Sequence, residues 1–121
     1  MGLLSKLRKP KELPTQRPRW RILVNIEQAD EVPDALPEKT AAFVGTTKRP
    51  KWLVFDCPCP KGHRIMLNLD PARWPRWYVT RKSPLTVSPS IDDVGDGRRC
   101  HFFLRNGAVS WVKETRRRAW R

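Results

Sequence analysis

Residues 101–112 read His-Phe-Phe-Leu-Arg-Asn-Gly-Ala-Val-Ser-Trp-Val. Two short runs rich in apolar and aromatic residues flank the dipeptide Asn106-Gly107. Asn-Gly between such runs is the preferred centre of a two-residue type I′ β-hairpin turn. This stretch therefore predicts two adjacent antiparallel strands, and it gives the clearest structural signal in the chain.

Other segments upstream of this hairpin have the composition or the alternation of short strands. They are residues 20–26, 41–44, 51–56, 63–69, 77–80 and 85–87. Residues 27–40 are acidic and contain two prolines, which predicts a loop with one helical turn. Twelve prolines in 121 residues argue against long helices. We therefore expect a mainly β fold, a single small sandwich or partly open barrel of about seven short strands.

The net charge of +13 is concentrated at the two ends of the chain. Residues 1–21 carry a net charge of +6 and residues 113–121 carry +4, which leaves +3 for residues 22–112. This distribution predicts a basic N-terminal arm over residues 1–18, a β-rich domain over 19–113 and a basic tail over 114–121. The sequence has neither a secretory signal nor an apolar run of about 18 residues, so we expect a cytoplasmic protein without membrane contact.

Basic arms can bind polyanions, which makes nucleic acid a secondary candidate partner. Of the six tryptophans, Trp52 and Trp111 lie in predicted strands and are expected in the core. Trp74 and Trp77 flank a Pro-Arg pair and are expected to be partly exposed, where they can contact a protein or a nucleotide.

Three cysteines make a pure disulfide framework improbable, so the thiols are expected to be free or metal-bound. Cys57, Cys59 and His63 lie within seven residues, and Cys100 precedes His101. A zinc site built from the three cysteines and one histidine is chemically feasible. Alternatively, Cys57 and Cys59 pack a turn while Cys100 is a small buried residue. Either of the first two cysteines can also act as a thiol nucleophile with His63 as its base.

A serine nucleophile is the other catalytic possibility, and the motif Ser88-Pro89-Ser90 supplies two candidates. A serine needs a base within hydrogen-bond reach, and the chain has two histidines. His101 begins the strand that follows a predicted Asp92-Asp93 loop, so an antiparallel return brings it close to Ser90. The carboxylate that orients the base is left open among Asp70, Asp92 and Asp93. The alternative is that the serines belong to a turn and His101 is a partly buried structural residue.

Three segments, in this order, resemble a small bacterial family. They are Cys57-Pro58-Cys59-Pro60-Lys61-Gly62-His63-Arg64-Ile65-Met66-Leu67-Asn68-Leu69, Leu85-Thr86-Val87-Ser88-Pro89-Ser90-Ile91 and His101-Phe102-Phe103-Leu104-Arg105-Asn106-Gly107. The family is encoded in bacterial ubiquitin-like conjugation (Bub) operons. It includes BubE, a serine-protease-like deubiquitinase partnered with activating and conjugating enzymes. The resemblance covers residues 50–112.

The resemblance implies Ser90 as the nucleophile and His101 as the general base. It leaves Ser88 as the alternative nucleophile and His63 as a possible further member of the same site. It also implies a ubiquitin-like protein and its activating and conjugating enzymes as partners, with the basic arms docking on their acidic surfaces. A place in anti-phage defence follows from the same resemblance.

The chain also departs from the family pattern. Many relatives have a cysteine where Arg98 stands, a serine where Cys100 stands and a cysteine where Val112 stands. The resemblance therefore implies that a zinc ligand set is incomplete here and that no cofactor is required. Two functions remain as alternatives: a non-catalytic binding module of the same pathway, in which Ser90 and His101 are structural, and a basic nucleic-acid-binding β domain.

Overall fold

The computed structural model describes residues 18–95 and 97–113, and in this part of the chain eight strands form two four-stranded sheets. The strands are β1 Arg21–Ile26, β2 Thr40–Gly45, β3 Pro50–Asp56, β4 Arg64–Asn68, β5 Tyr78–Val79, β6 Val87–Gly95, β7 Arg98–Arg105 and β8 Ala108–Trp111. One 3₁₀ turn, Ala29–Glu31, lies in the predicted loop. The expected mainly β, sandwich-like fold is confirmed. The predicted arms fall outside the described residues, apart from Pro18.

The first sheet has the strand order β1-β2-β3-β4. β1 and β2 are parallel, and the other pairs are antiparallel. A parallel pair needs a long connection, which is supplied here by the acidic, proline-containing residues 27–39. β2 and β3 occupy the middle of this sheet, and this position explains why five successive residues of β2 are buried.

The second sheet is an antiparallel meander with the order β5-β6-β7-β8. The predicted hairpin joins β7 to β8. Both residues of its turn have positive φ, 52° at Asn106 and 80° at Gly107, as a type I′ turn requires. No helix in the described part of the chain is both long and apolar enough to cross a membrane.

Strand β6 corrects the expectation of a loop at Asp92-Asp93, because both residues lie inside the strand. Their charges are neutralised by arginines of β7. Asp92 accepts hydrogen bonds of 2.9 and 2.8 Å from Arg99, and Asp93 lies 3.3 Å from Arg98. Opposite charges on neighbouring strands stabilise a sheet, so a pair of acidic residues did not signal a break in this case.

The hydrophobic core lies between the two sheets. Its largest fully buried side chains include Leu53 and Phe55 from the first sheet and Ile91, Phe102 and Leu104 from the second. Side chains from both sheets form one contiguous cluster. This packing fixes one face of β7 in the interior and leaves the other face toward solvent.

Trp20, immediately before β1, ties the two sheets together. Its ring packs edge-on against Phe55 at 5.5 Å. Its N–H donates to the carbonyl of Gly107 at 3.0 Å, and its carbonyl accepts from the N–H of Leu85 at 3.1 Å. Trp20 thus contacts the first sheet through its ring and the second sheet through its backbone.

The other tryptophans follow the predictions only in part. Trp74 is 82% exposed and Trp77 is only partly buried against the core, which agrees with the expected exposure of this pair. Trp111 was expected in the core, yet it is 44% exposed because its strand, β8, lies at the edge of the second sheet.

We expect Gly107→Ala to destabilise the fold more than Gly97→Ala. Both glycines have positive φ, but an added Cβ at Gly107 would lie 2.6 Å from Cβ of Arg19, whereas Gly97 has open space. Gly97→Ala should cost about 1 kcal/mol from the left-handed conformation alone. Gly107→Ala should cost roughly 2–3 kcal/mol because a steric clash is added. Urea unfolding monitored by fluorescence measures both, and equal costs would contradict the predicted packing.

Candidate functional site

Two successive cross-strand pairs of β6 and β7 carry the reactive groups of the molecule. Asp92 is opposite His101, and Asp93 is opposite Cys100. Side chains alternate between the faces of a strand, so the two pairs lie on opposite faces of the second sheet. The burial pattern of β7 agrees: Cys100 is buried, whereas His101 is partly exposed.

On the outer face, the hydroxyl of Ser90 lies within hydrogen-bond distance of His101. Oγ of Ser90 is 3.0 Å from Nε2 of His101. With the ring proton on Nδ1, Nε2 can accept the hydroxyl proton, which is the geometry of a serine nucleophile and its general base. The carbonyl of Ser90 accepts a 3.2 Å hydrogen bond from the indole Nε1 of Trp77, which anchors this part of β6 to the segment before β5.

Among the three candidate carboxylates, Asp92 is the one opposite His101. Hydrogen bonds from Arg99 lower the pKa of Asp92, although burial acts to raise it. The charges of Arg99 and His101 lower this pKa further. Asp92 is therefore an anion at neutral pH. Asp70 instead accepts a 3.0 Å hydrogen bond from the N–H of Ala72 within its own turn. Asp93 lies on the other face of the sheet.

The structure separates Ser88 and His63 from the Ser90–His101 pair. Ser88 is exposed and lies opposite Tyr78 of β5, and its hydroxyl has no hydrogen bond to a histidine in the described part of the chain. His63 contacts cysteines rather than serines. The resemblance allowed for His63 in the serine site, and the structure places it in a second cluster on the inner face.

That second cluster consists of Cys57, Cys59, His63 and Cys100, whose donor atoms all lie within 4.8 Å of one another. The turn between β3 and β4 brings the first three together. The N–H of Cys57 donates to the carbonyl of His63 at 2.7 Å, and the N–H of Gly62 donates to the carbonyl of Cys59 at 3.0 Å. Cys100 reaches the cluster from β7.

His63 has the orientation expected of a metal ligand. Its Nδ1 lies 3.4 Å from Sγ of Cys59, and its Nε2 lies 2.8 Å from Oδ2 of Asp93. The angles of the second contact are not those of a hydrogen bond. Imidazole ligands commonly direct their second nitrogen at a carboxylate, which fixes the ring and its tautomer. Asp93 is thus placed to orient His63.

The three thiols of the cluster differ in how readily they ionise. Burial raises the pKa of Cys57, and burial together with the charge of Cys59 raises the pKa of Cys100. At Cys59 burial also opposes ionisation, but hydrogen bonds from the N–H groups of Gly62 and Lys61 outweigh it and lower the pKa. One thiolate is therefore stabilised by the protein itself, and a divalent cation would stabilise the others.

Three sulfurs and one imidazole nitrogen are a donor set that zinc prefers. Ligands of a tetrahedral zinc ion lie roughly 3.3–3.8 Å apart, given bond lengths of about 2.0 Å to nitrogen and about 2.3 Å to sulfur. The four donor atoms lie within 4.8 Å of one another, so small movements of the side chains would bring them to these distances. The resemblance implied an incomplete ligand set, and the structure gathers four donors, because Cys100 and His63 take part. The cluster can hold a metal such as zinc.

The cysteine–histidine pair considered as a nucleophile and base is Cys59 with His63. Two further sulfurs surround that pair, which is typical of a metal site rather than of a thiol nucleophile. The sequence indicates every member of both clusters, but it does not show that the two clusters lie on opposite faces of the second sheet.

Comparisons with curated proteins and with solved structures find no match. Residues 28–112, more than half of the chain, match a protein-family model, and this range of the chain includes the serine motif, both histidines and all three cysteines. That match and the Ser90–His101 geometry agree with the chemistry expected of a serine protease. The chain belongs to the BubE family, the serine protease of a bacterial ubiquitination-like system.

Proposed function

We propose that the protein is a serine hydrolase of the deubiquitinase type, which removes a bacterial ubiquitin-like protein from its conjugates or from its precursor. The observation that carries this proposal is the 3.0 Å contact between Ser90 Oγ and His101 Nε2. Membership of a serine protease family in a ubiquitination-like system supports the substrate class. The ubiquitin-like protein and its activating and conjugating enzymes are then the partners.

The reaction is acyl transfer in two steps. Ser90 Oγ attacks the carbonyl carbon of the scissile bond while His101 Nε2 takes the hydroxyl proton. Collapse of the tetrahedral intermediate breaks the bond to the leaving amine, which receives that proton. Water then attacks the acyl-enzyme carbonyl, His101 takes its proton, and the proton returns to Ser90 as the acid product leaves.

Two features near Ser90 suit this chemistry. Asp92 is an anion beside His101, and it stabilises the imidazolium that forms in each step. The register of β6 against β7 is interrupted between Val87 and Ile91, so residues 88–90 leave the regular ladder. Backbone N–H groups in this irregular segment are the candidate donors to the oxyanion.

The Cys57, Cys59, His63 and Cys100 cluster is proposed to hold zinc in a structural role. Four protein ligands close the coordination sphere, and no position is left for substrate. Zinc there would join the β3–β4 turn to β7, the strand that carries His101. The predicted cytoplasmic location and role in anti-phage defence remain predictions.

We expect Ser90→Ala and His101→Ala each to lower the cleavage of a ubiquitin-like conjugate at least about 10³-fold, because each removes one member of the nucleophile–base pair. Ser88→Ala is the matched control and should stay within about two-fold of the unchanged protein. Intact-mass analysis after treatment with a fluorophosphonate should show one adduct on the unchanged protein and none on Ser90→Ala. Undiminished cleavage by both Ser90→Ala and His101→Ala would exclude the proposed reaction.

Asp92→Asn should lower kcat about ten-fold or more and move the acidic limb of the pH–rate profile to lower pH, because an anion beside His101 is removed. The pKa of Asp92 is lowered, so its carboxylate keeps its charge across the neutral range and loses it only at strongly acidic pH. Asp30→Asn makes the same charge change in the exposed 3₁₀ turn Ala29–Glu31 and should leave the profile in place. An unshifted profile in Asp92→Asn would remove Asp92 from the catalytic site.

Purified protein should contain about one zinc ion per chain, measured by plasma mass spectrometry. Cys57→Ser and Cys100→Ser should lose the zinc and lower the unfolding temperature, since the metal joins two elements of the fold. A chelator should have the same effect on the unchanged protein. Zinc-free protein with an unaltered unfolding temperature would contradict the structural metal site.

A further inference from the structure

A groove of about 610 Å³ lies along strand β5, opposite the loop that joins β2 to β3. Its lining combines aromatic rings with five cationic side chains and a single carboxylate, that of Asp70. The cations are Lys48, Arg49, Lys51, Arg76 and Arg81. We call this feature the cationic groove.

In the part of the chain that the structure describes, ion pairs do not neutralise the charge of the cationic groove. Among residues 18–95 and 97–113, none of its five cations forms a salt bridge with a carboxylate. In addition, Nε of Arg76 is buried without an acceptor in this part of the chain. Uncompensated cations that line a concavity attract an anionic ligand.

Two of the arginines are held in place before any ligand arrives. Arg76 lies over the ring of Tyr78 at 4.4 Å and donates to its hydroxyl at 3.2 Å. Arg81 lies over the ring of Phe43 at 5.6 Å, and it donates to two carbonyls of the β2–β3 loop at 3.0 and 3.2 Å. A preorganised guanidinium loses little entropy when it binds a carboxylate.

The groove is connected to the candidate nucleophile through β5 and β6. Trp77 lines the groove and donates to the carbonyl of Ser90. Tyr78, the next lining residue, is the cross-strand partner of Ser88. The lining of the groove is thus linked to Ser90 by one hydrogen bond, and to Ser88, two positions earlier in the chain, by strand pairing.

We propose that the cationic groove binds an acidic, extended segment of the protein substrate and thereby selects substrates with Asp or Glu residues close to the bond that Ser90 attacks. This inference rests on the proposed hydrolase function. The same cations can attract nucleic acid, but Tyr78 and Phe43 already have arginines stacked on their rings, which reduces the surface available for bases.

Binding of fluorescein-labelled peptides to the full chain with Ser90→Ala tests the proposal without turnover. One octapeptide carries four glutamates and its counterpart carries four glutamines. The glutamate peptide should bind at least about ten-fold more tightly, and added salt should reduce the difference. Equal affinity for the two peptides would overturn the proposal.

Charge reversal locates the binding. Lys48→Glu with Arg49→Glu should weaken binding of the glutamate peptide about ten-fold. Arg21→Glu with Lys113→Glu makes the same change in net charge outside the groove and serves as the matched control. Equal weakening by both pairs would show attraction to the overall charge and would overturn the groove assignment. A single-stranded oligonucleotide that depends on Lys48 and Arg49, with no binding of the glutamate peptide, would assign the groove to nucleic acid instead.

The hydrolase function is judged separately. If fluorophosphonate forms no adduct at Ser90, the catalytic proposal fails. The peptide affinities would still report on the groove. Conversely, a hydrolase that cleaves glutamate- and glutamine-containing substrates with equal kcat/KM would retain its activity and lose the proposed selectivity.

Discussion

The alternation of side chains along strand β7 determines where both candidate sites lie. Cys100 and His101 are neighbours in sequence, and they point to opposite faces because successive residues of a strand do so. Strand β6 repeats this arrangement with Asp93 and Asp92. One ladder of two strands therefore supports a sulfur-rich cluster on its inner side and a serine–histidine pair on its outer side.

This arrangement depends on the packing of the two sheets. Ile91, Phe102 and Leu104 fill the interior between the reactive positions and fix which face is buried. A slip of one residue in the β6–β7 register would exchange the faces and dismantle both clusters together. Arg99 and Arg98 lie diagonally across from Asp92 and Asp93, and their ion pairs favour this register in addition to the core packing.

Much of the fold was readable from local chemistry. Asn106-Gly107 predicted the hairpin because few residues tolerate positive φ at two successive positions, and this prediction is confirmed. The acidic pair in β6 predicts a loop from sequence alone, because the arginines that neutralise it lie on another strand and the pairing of the two strands is not visible in the linear sequence. The apolar and aromatic composition around Trp111 predicts a strand, and hence a core position. Composition does not distinguish an edge strand from a central one, and β8 is an edge strand.

The sequence indicates which residue types form the candidate sites, but it does not show which of these residues come together in space. Ser90 and His101 lie eleven positions apart, and an antiparallel return of the chain between them predicts that they meet. The Cys57, Cys59, His63 and Cys100 set needed contact between the two sheets, which tertiary packing alone decides. The cationic groove was not predictable, because its five cations come from three separate stretches of the chain, residues 48–51, Arg76 and Arg81, and the charge in the sequence is concentrated at the termini.

The outer face of the second sheet has a consequence for how a hydrolase of this design would work. Ser90 and His101 stand on a partly solvated surface, flanked by exposed side chains such as Ser88 and Val94. An ester intermediate formed there would be open to bulk water. The water that hydrolyses it would therefore arrive directly from solvent, and the second half of the reaction would need neither a channel nor a lid to admit it.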